Sequence, residues 1–135
     1  MRLENGASGF IALSRTAWGR KGRIAVQIIG AKGAILYDQE RFNEFQLYLT
    51  EDRATEQGFR TILSSPQHAP YGRFVPVPGH GLGFNDLKAI EVARFMDAIA
   101  GLTPEPFDFR AGQRIQELVE AILRSSRDGG WVTTA

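Results

Sequence analysis

The sequence contains no cysteine. That excludes disulfide frameworks, thiol nucleophiles and thiolate metal sites together, and it suits a reducing cytosol, so a cytoplasmic location is expected. No apolar run approaches the roughly 20 residues that a bilayer-spanning helix needs. The opening Met1-Arg2-Leu3-Glu4-Asn5-Gly6 lacks the apolar core of a secretory signal. Charge of either sign is not in excess: 16 Lys and Arg stand against 15 Asp and Glu, a net charge of +1. No general electrostatic case therefore exists for nucleic acid or for an anionic membrane as partner. The chain also lacks a lead-in. It enters a strand-like pattern almost at once, and Met1 reads as the start of a piece cut from a longer protein.

What is there fits one domain with a core of its own. The 135 residues are 43% apolar and 23% charged, ordinary values for a folded globular chain. The stretch Gly22–Asp38 reads as two strands and a tight turn. Ile24, Val26 and Ile28 alternate with Ala25, Gln27 and Ile29. Gly30-Ala31-Lys32-Gly33 is the turn, with a glycine at each end where positive φ is expected. Ala34 to Tyr37 resume the alternation. Apolar residues on both faces place this hairpin in a sheet covered on both sides.

Around it, residues 9–18 read as a first strand, with Phe10, Ala12 and Ser14 on one face and Ile11, Leu13 and Arg15 on the other. The basic turn Gly19-Arg20-Lys21-Gly22 reads as a solvated hairpin tip in preference to an anion contact. Glu44–Thr50 and Phe59–Leu63 complete a meander of short strands. Residues 64–84 break the pattern: four of the six prolines and both histidines fall in this one loop. A loop of that length in a small domain is often functional. A helix follows from about Asn85 to Ala100, capped by Asn85 or Asp86, with the stripe Ala89, Val92, Phe95, Met96, Ile99. Gly101 stops it, and Pro104 and Pro106 bar immediate re-entry. A second helix starts near Asp108 and runs to about Arg127, with the stripe Ala111, Ile115, Leu118, Val119, Ile122. Trp131–Thr134 is short and β-prone and reads as a candidate last strand.

Strands first and helices last predict an α+β domain over residues 1–135: an open, mainly antiparallel β-sheet with two amphipathic helices on one face. One stripe per helix covers one sheet face. The other still presents Ile11 or Leu13, Ala25, Ile29 and Tyr37, and an open apolar face of that size implies a second copy or a missing domain.

The chemical candidates are few. Gly79-His80-Gly81-Leu82-Gly83-Phe84 invites comparison with the dinucleotide fingerprint G-x-G-x-x-G, but the third glycine is misplaced and Val75-Pro76-Val77-Pro78 is a poor buried strand. No cofactor-binding residue is assigned. His68 and His80 lack a third ligand at motif spacing, so no metal site is assigned. The Ser64-Ser65 and Ser125-Ser126 pairs lack a nucleophile-elbow context. Tyr71 and Phe74 fit either an aromatic wall for a ligand or a pin that holds the loop down.

Gly9-Phe10-Ile11-Ala12-Leu13-Ser14-Arg15, Gly19-Arg20, Ile28-Ile29-Gly30-Ala31-Lys32-Gly33-Ala34-Ile35, Gly83-Phe84 with its helix, and Ser125 with Trp131-Val132 together resemble a known domain. It is the C-terminal domain of the glucose–fructose oxidoreductase / inositol dehydrogenase / rhizopine-catabolism (Gfo/Idh/MocA) family, and the resemblance spans about residues 6–134. It implies a parent enzyme that uses NAD or NADP on a sugar, inositol or related polyol, with a Rossmann domain upstream. It implies that the open sheet forms homo-oligomer contacts. The family's nucleotide-binding glycines, its Glu-Lys-Pro lysine and its catalytic Asp and His all fall upstream of residue 1. Hence no catalytic residue is assigned here, and no cofactor is expected to bind this piece alone. Loop 64–86 is the candidate contribution to a substrate pocket, with His80, Asn85 and Arg15 as candidate substrate-binding residues.

A second reading remains: a stand-alone, non-enzymatic module that self-associates through its open sheet. The coding sequence upstream of Arg2 separates the two. A glycine-rich βαβ unit followed by Glu-Lys-Pro favours the enzyme, and a true translational start favours the module.

Overall fold

The computed structural model describes residues 1–134. Strands β1 (Ala25–Gly30), β2 (Gly33–Asp38), β3 (Glu44–Leu49) and β4 (Arg60–Leu63) form a four-stranded antiparallel sheet in that order. Helices α1 (Phe84–Ile99) and α2 (Phe109–Asp128) follow, giving the α+β order expected from the sequence. The register pairs Val26 with Tyr37 and Tyr37 with Phe45, then Phe45 with Ile62; Ile28, Ile35 and Leu47 lie in the neighbouring row. Directly opposed residues share a face. One face is therefore almost wholly apolar. The other mixes Gln27, Ile29, Ala34, Leu36, Gln46 and Tyr48. Tyr37 belongs to the first face, opposite Ala25 and Ile29, and does not share their surface.

The β1–β2 turn is tight, as expected, and shorter than the four residues expected: Gly30 pairs with Gly33, which leaves Ala31 and Lys32 as the loop. The reason for its glycines differs from the one inferred. Neither has a positive φ. At Gly33 an added Cβ would run into the carbonyl oxygen of Tyr48 on β3, so the position is kept bare by a close strand approach.

Residues 9–18 do not form the expected strand. Gly9 is committed elsewhere: it exchanges hydrogen bonds with Met1, and Arg2 bridges Ser8, so the N-terminus folds on itself. The turn 19–22, with Gly19 and Gly22 at positive φ, then returns the chain to β1. Phe10 and Trp18 are left 89% and 98% exposed. Trp131–Thr134 likewise adds no strand.

The buried centre lies outside the sheet. Val75, Leu82 and Ile90 are buried together, with Phe42, Tyr71 and Phe74 packed around them. Loop 64–83 thus supplies much of the core, and Tyr71 and Phe74 act as pins. Because loop side chains meet α1 at Ile90, α1 turns Leu87, Ile90 and Asp97 inward. At 100° per residue this is the side opposite the expected stripe, and Val92, Phe95, Met96 and Ile99 stand exposed. On α2 only Ala121 is buried, while Ile115, Leu118, Val119 and Ile122 remain open.

The helix ends follow the sequence chemistry. Asp108 caps α2 by accepting from the Ala111 amide at 2.9 Å. Gly83 precedes α1, and Asp86 in the first turn accepts the Gly83 amide at 2.6 Å, a role shifted from capping to bracing. Gly129, at φ 70°, ends α2, where Ser125 donates its hydroxyl to the Gly130 carbonyl at 2.6 Å.

The accessible surface is 11,659 Å². A compact monomer of 15.0 kDa exposes about 7,000 Å². Many large apolar side chains are among those left exposed, including Ile29 on the sheet, Phe95 on α1 and Ile115 on α2.

Candidate functional site

The polar features of loop 64–83 converge on one residue, Asn43, in the turn before β3. Its Oδ1 accepts the Leu82 amide at 2.8 Å and its Nδ2 donates to the Leu82 carbonyl at 2.9 Å. The same Oδ1 accepts the Ser64 hydroxyl at 3.3 Å, and the Asn43 carbonyl accepts the Ser64 amide at 2.7 Å. Residues 64 and 82 are the two ends of the loop. One side chain therefore ties both.

Within the loop, His68 is committed locally. Its Nδ1 accepts the Ser65 amide at 3.1 Å and lies 2.9 Å from the Ser65 hydroxyl. A ring nitrogen that accepts from a main-chain N–H carries no proton, so the proton sits on Nε2. This is a structural histidine. His80 differs. It is exposed, two residues before the clamped Leu82, and its own amide makes a long 3.5 Å contact to the Val77 carbonyl. Asn85 is exposed in the first turn of α1. His80 and Asn85 thus flank the fixed Leu82–Gly83 step at a helix N-terminus, where free N–H groups favour hydroxyl and anionic ligands. Residues leading into α1 are irregular chain with no strand, so the strand–turn–helix frame of a dinucleotide site is absent at that point.

Arg15 lies on the unpaired segment 9–18 and is exposed. Among the described residues, no hydrogen bond or ion pair joins it to His80 or Asn85. Its neighbours instead border a cleft of about 1,110 Å³, walled by Phe10, Ile11 and Leu13 on one side and by Ile29, Leu36 and Gln46 of the sheet on the other. This cleft is the mixed, open sheet face.

Electrostatics at the sheet's far end stiffen the turn that leads into β1. Arg23 donates to Asp38 at 2.7 Å, and the Lys21 amide and Arg20 guanidinium both reach Glu40, at 2.7 and 3.0 Å. The Arg23 hydrogen bond, then the Glu40 amide, hold the Asp38 carboxyl below its ordinary value; the Lys21 amide does the same for Glu40. Burial, with Tyr71 and Asp38 nearby, raises the Tyr37 hydroxyl. One of the two charges of this basic turn, Arg20, is thus paired within the chain, and the Lys21 main chain is held by the same Glu40.

The sequence pointed to His80, Asn85 and Arg15, of which the structure sets His80 and Asn85 near one helix start and Arg15 apart, and it did not point to Asn43. The stretch Gln39-Glu40-Arg41-Phe42-Asn43 is a mostly polar link between two strands and carries no motif. The available signal was its position: an asparagine just before a strand whose partner strand ends at the start of the long loop.

Comparison with known proteins is consistent over almost the whole length. The family model "Oxidoreductase family, C-terminal alpha/beta domain" matches residues 1–134. Levoglucosan dehydrogenase of Pseudarthrobacter phenanthrenivorans is 37% identical over 134 residues, 98% of this chain and 34% of that protein. A structure of levoglucosan dehydrogenase in complex with NADH and levoglucosan superposes with a TM-score of 0.91 at 36% identity, covering 97% of this chain and 36% of the other. An NAD binding oxidoreductase from Klebsiella pneumoniae superposes with a TM-score of 0.87 at 32% identity, covering 99% and 36%. The chain spans about a third of the length of the relatives it matches.

Proposed function

The chain belongs to the oxidoreductase family defined by that C-terminal alpha/beta domain, and from this membership we propose that it is the substrate and assembly domain of a cytoplasmic, NAD-dependent sugar dehydrogenase. An upstream Rossmann domain of the same parent holds the nicotinamide cofactor and the catalytic residues. The rim formed by His80 and Asn85, with Arg15 brought in from segment 9–18, faces the hydroxyls of a sugar, inositol or related polyol. The mixed sheet face packs against a second copy. The observation that carries this reading is the 37% identity to levoglucosan dehydrogenase along 98% of the chain, with the family model matching residues 1–134. An imidazole and a carboxamide suit that role, since each offers hydrogen bonds to neutral hydroxyls without demanding a charged ligand.

The test is sugar-dependent formation of NADH by the full-length parent protein. A panel of levoglucosan, inositols and free hexoses with NAD+ is expected to give turnover with at least one member. No NAD-linked turnover across the panel overturns the reading.

A further inference from the structure

We propose that Asn43 is the positioning residue of the substrate rim: by closing the neck of loop 64–82 with one carboxamide, it sets where His80 and Asn85 meet the sugar. This rests on the proposed sugar-dehydrogenase reading. The argument begins with the bonding. Asn43 satisfies both main-chain groups of Leu82 and both the amide and hydroxyl of Ser64. A loop's closure entropy grows with its length, and a bond between its two ends removes that freedom in one place. Leu82 is itself buried against Ile90, so its main-chain groups have little access to water and depend on Asn43.

The surroundings are arranged around this contact. At Gly81 an added Cβ would lie 3.2 Å from Asn43 Nδ2, so a bare residue there leaves room for the carboxamide. Arg73, in the middle of the loop, reaches Asp97 of α1 at 2.6 Å and anchors the loop's far side. Between these two anchors, Tyr71, Phe74 and Val75 fill the core. The loop is thus a closed, packed unit hinged on β3. His80 lies two residues before Leu82 and Asn85 three residues after it, so the fixed Leu82 main chain is the attachment point between them. Asn43 is half-buried and its carboxamide is spent on Leu82 and Ser64, so it acts through the rim and not on the sugar.

The choice of residue gives a specific test. An Asn43→Asp variant has the same shape and keeps the acceptor for the Leu82 amide. When ionised it has no proton for the Leu82 carbonyl and repels it. When protonated it donates again and restores the bond. In the full-length protein, the variant is expected to raise the KM for levoglucosan, or for whichever panel sugar is turned over, about tenfold at pH 8, the scale of one lost hydrogen bond. The KM for NAD+ stays at the wild-type value. The ratio of variant to wild-type sugar KM falls toward one as the pH drops through the carboxyl's titration. Hydrogen exchange at the Leu82 amide is read in Asn43→Ala, which removes the acceptor of that amide, and is expected to be faster than in wild type. Unchanged exchange at Leu82 overturns the neck itself. Faster exchange with an unchanged sugar KM overturns the positioning role while the dehydrogenase reading stands. Asn43→Ala, which lacks any restorable bond, is expected to keep its defect at all pH values; a pH-dependent recovery there also overturns the inference. Wild-type protein without turnover on any panel sugar instead overturns the dehydrogenase reading and the positioning role with it, whatever the exchange at Leu82 shows.

Discussion

Gly33 on β2 lies so close to Tyr48 on β3 that a side chain at Gly33 would meet the Tyr48 carbonyl oxygen. Gly30, its partner across the same turn, has room: a Cβ there sits an ordinary 3.7 Å from the Gly33 oxygen. Two glycines that look alike in the sequence therefore differ in consequence. Gly33→Ala is expected to destabilise the chain by about 1–3 kcal/mol, the range for forced overpacking. Gly30→Ala is expected to be neutral or slightly stabilising, by up to about 1 kcal/mol, because it restricts the unfolded chain. Urea unfolding of both variants beside the wild type measures the contrast.

The core makes a second contrast on one helix. Ile90 is 8% exposed and Phe95 61%. Ile90→Ala is expected to cost about 2–5 kcal/mol by leaving a cavity between α1 and the loop. Phe95→Ala is expected to fall within about 0.5 kcal/mol in the chain as it stands. A large cost for Phe95→Ala, again by urea unfolding, would show that α1 buries the other side.

That contrast also shows how far the sequence was legible. Period-two alternation located β1 to β4 within a residue or two, because each of those strands has a neighbour on which to register. The same alternation at 9–18 produced no strand: alternation describes a face and does not by itself pair a chain with the free edge of β1, and Gly9 at the start of the segment pairs with Met1. Helix limits were legible from Asp108 and Gly129, whose chemistry acts locally. The buried face of α1 was not. The apolar stripe at Val92, Phe95, Met96 and Ile99 is the stronger periodic signal, and the face actually packed is chosen by Val75 and Leu82 from a proline-rich loop without periodicity. The family resemblance was readable from the order of several short motifs. The Asn43 neck was not, because it joins residues 39 positions apart.

Acid is expected to loosen the turn before β1 ahead of the sheet. Asp38 and Glu40 have depressed carboxyl titrations, so the folded state favours their charged forms. Their stabilising effect is fully present at neutral pH and is lost as the pH falls through the depressed values. Amide shifts of Lys21 and Glu40, the two main-chain donors to these carboxylates, report it directly. Their midpoints should lie below the usual carboxylate range; midpoints at ordinary values would contradict the contacts.

Self-association is expected through the mixed sheet face. Sedimentation of the chain should give a dimer or larger species, and Leu36→Asp, which places a charge in the cleft beside Ile29 and Gln46, should shift it toward monomer. A clean wild-type monomer at high micromolar concentration would remove this face as the interface.

On the proposed function this domain contacts the sugar while the cofactor is held elsewhere in the parent. The most direct measurement is the pair of Michaelis constants of full-length His80→Ala, for sugar and for NAD+. The expected result is a sugar KM raised about tenfold, as for one lost hydrogen bond, with the KM for NAD+ unchanged. A change confined to NAD+, or no change in either constant, would contradict it.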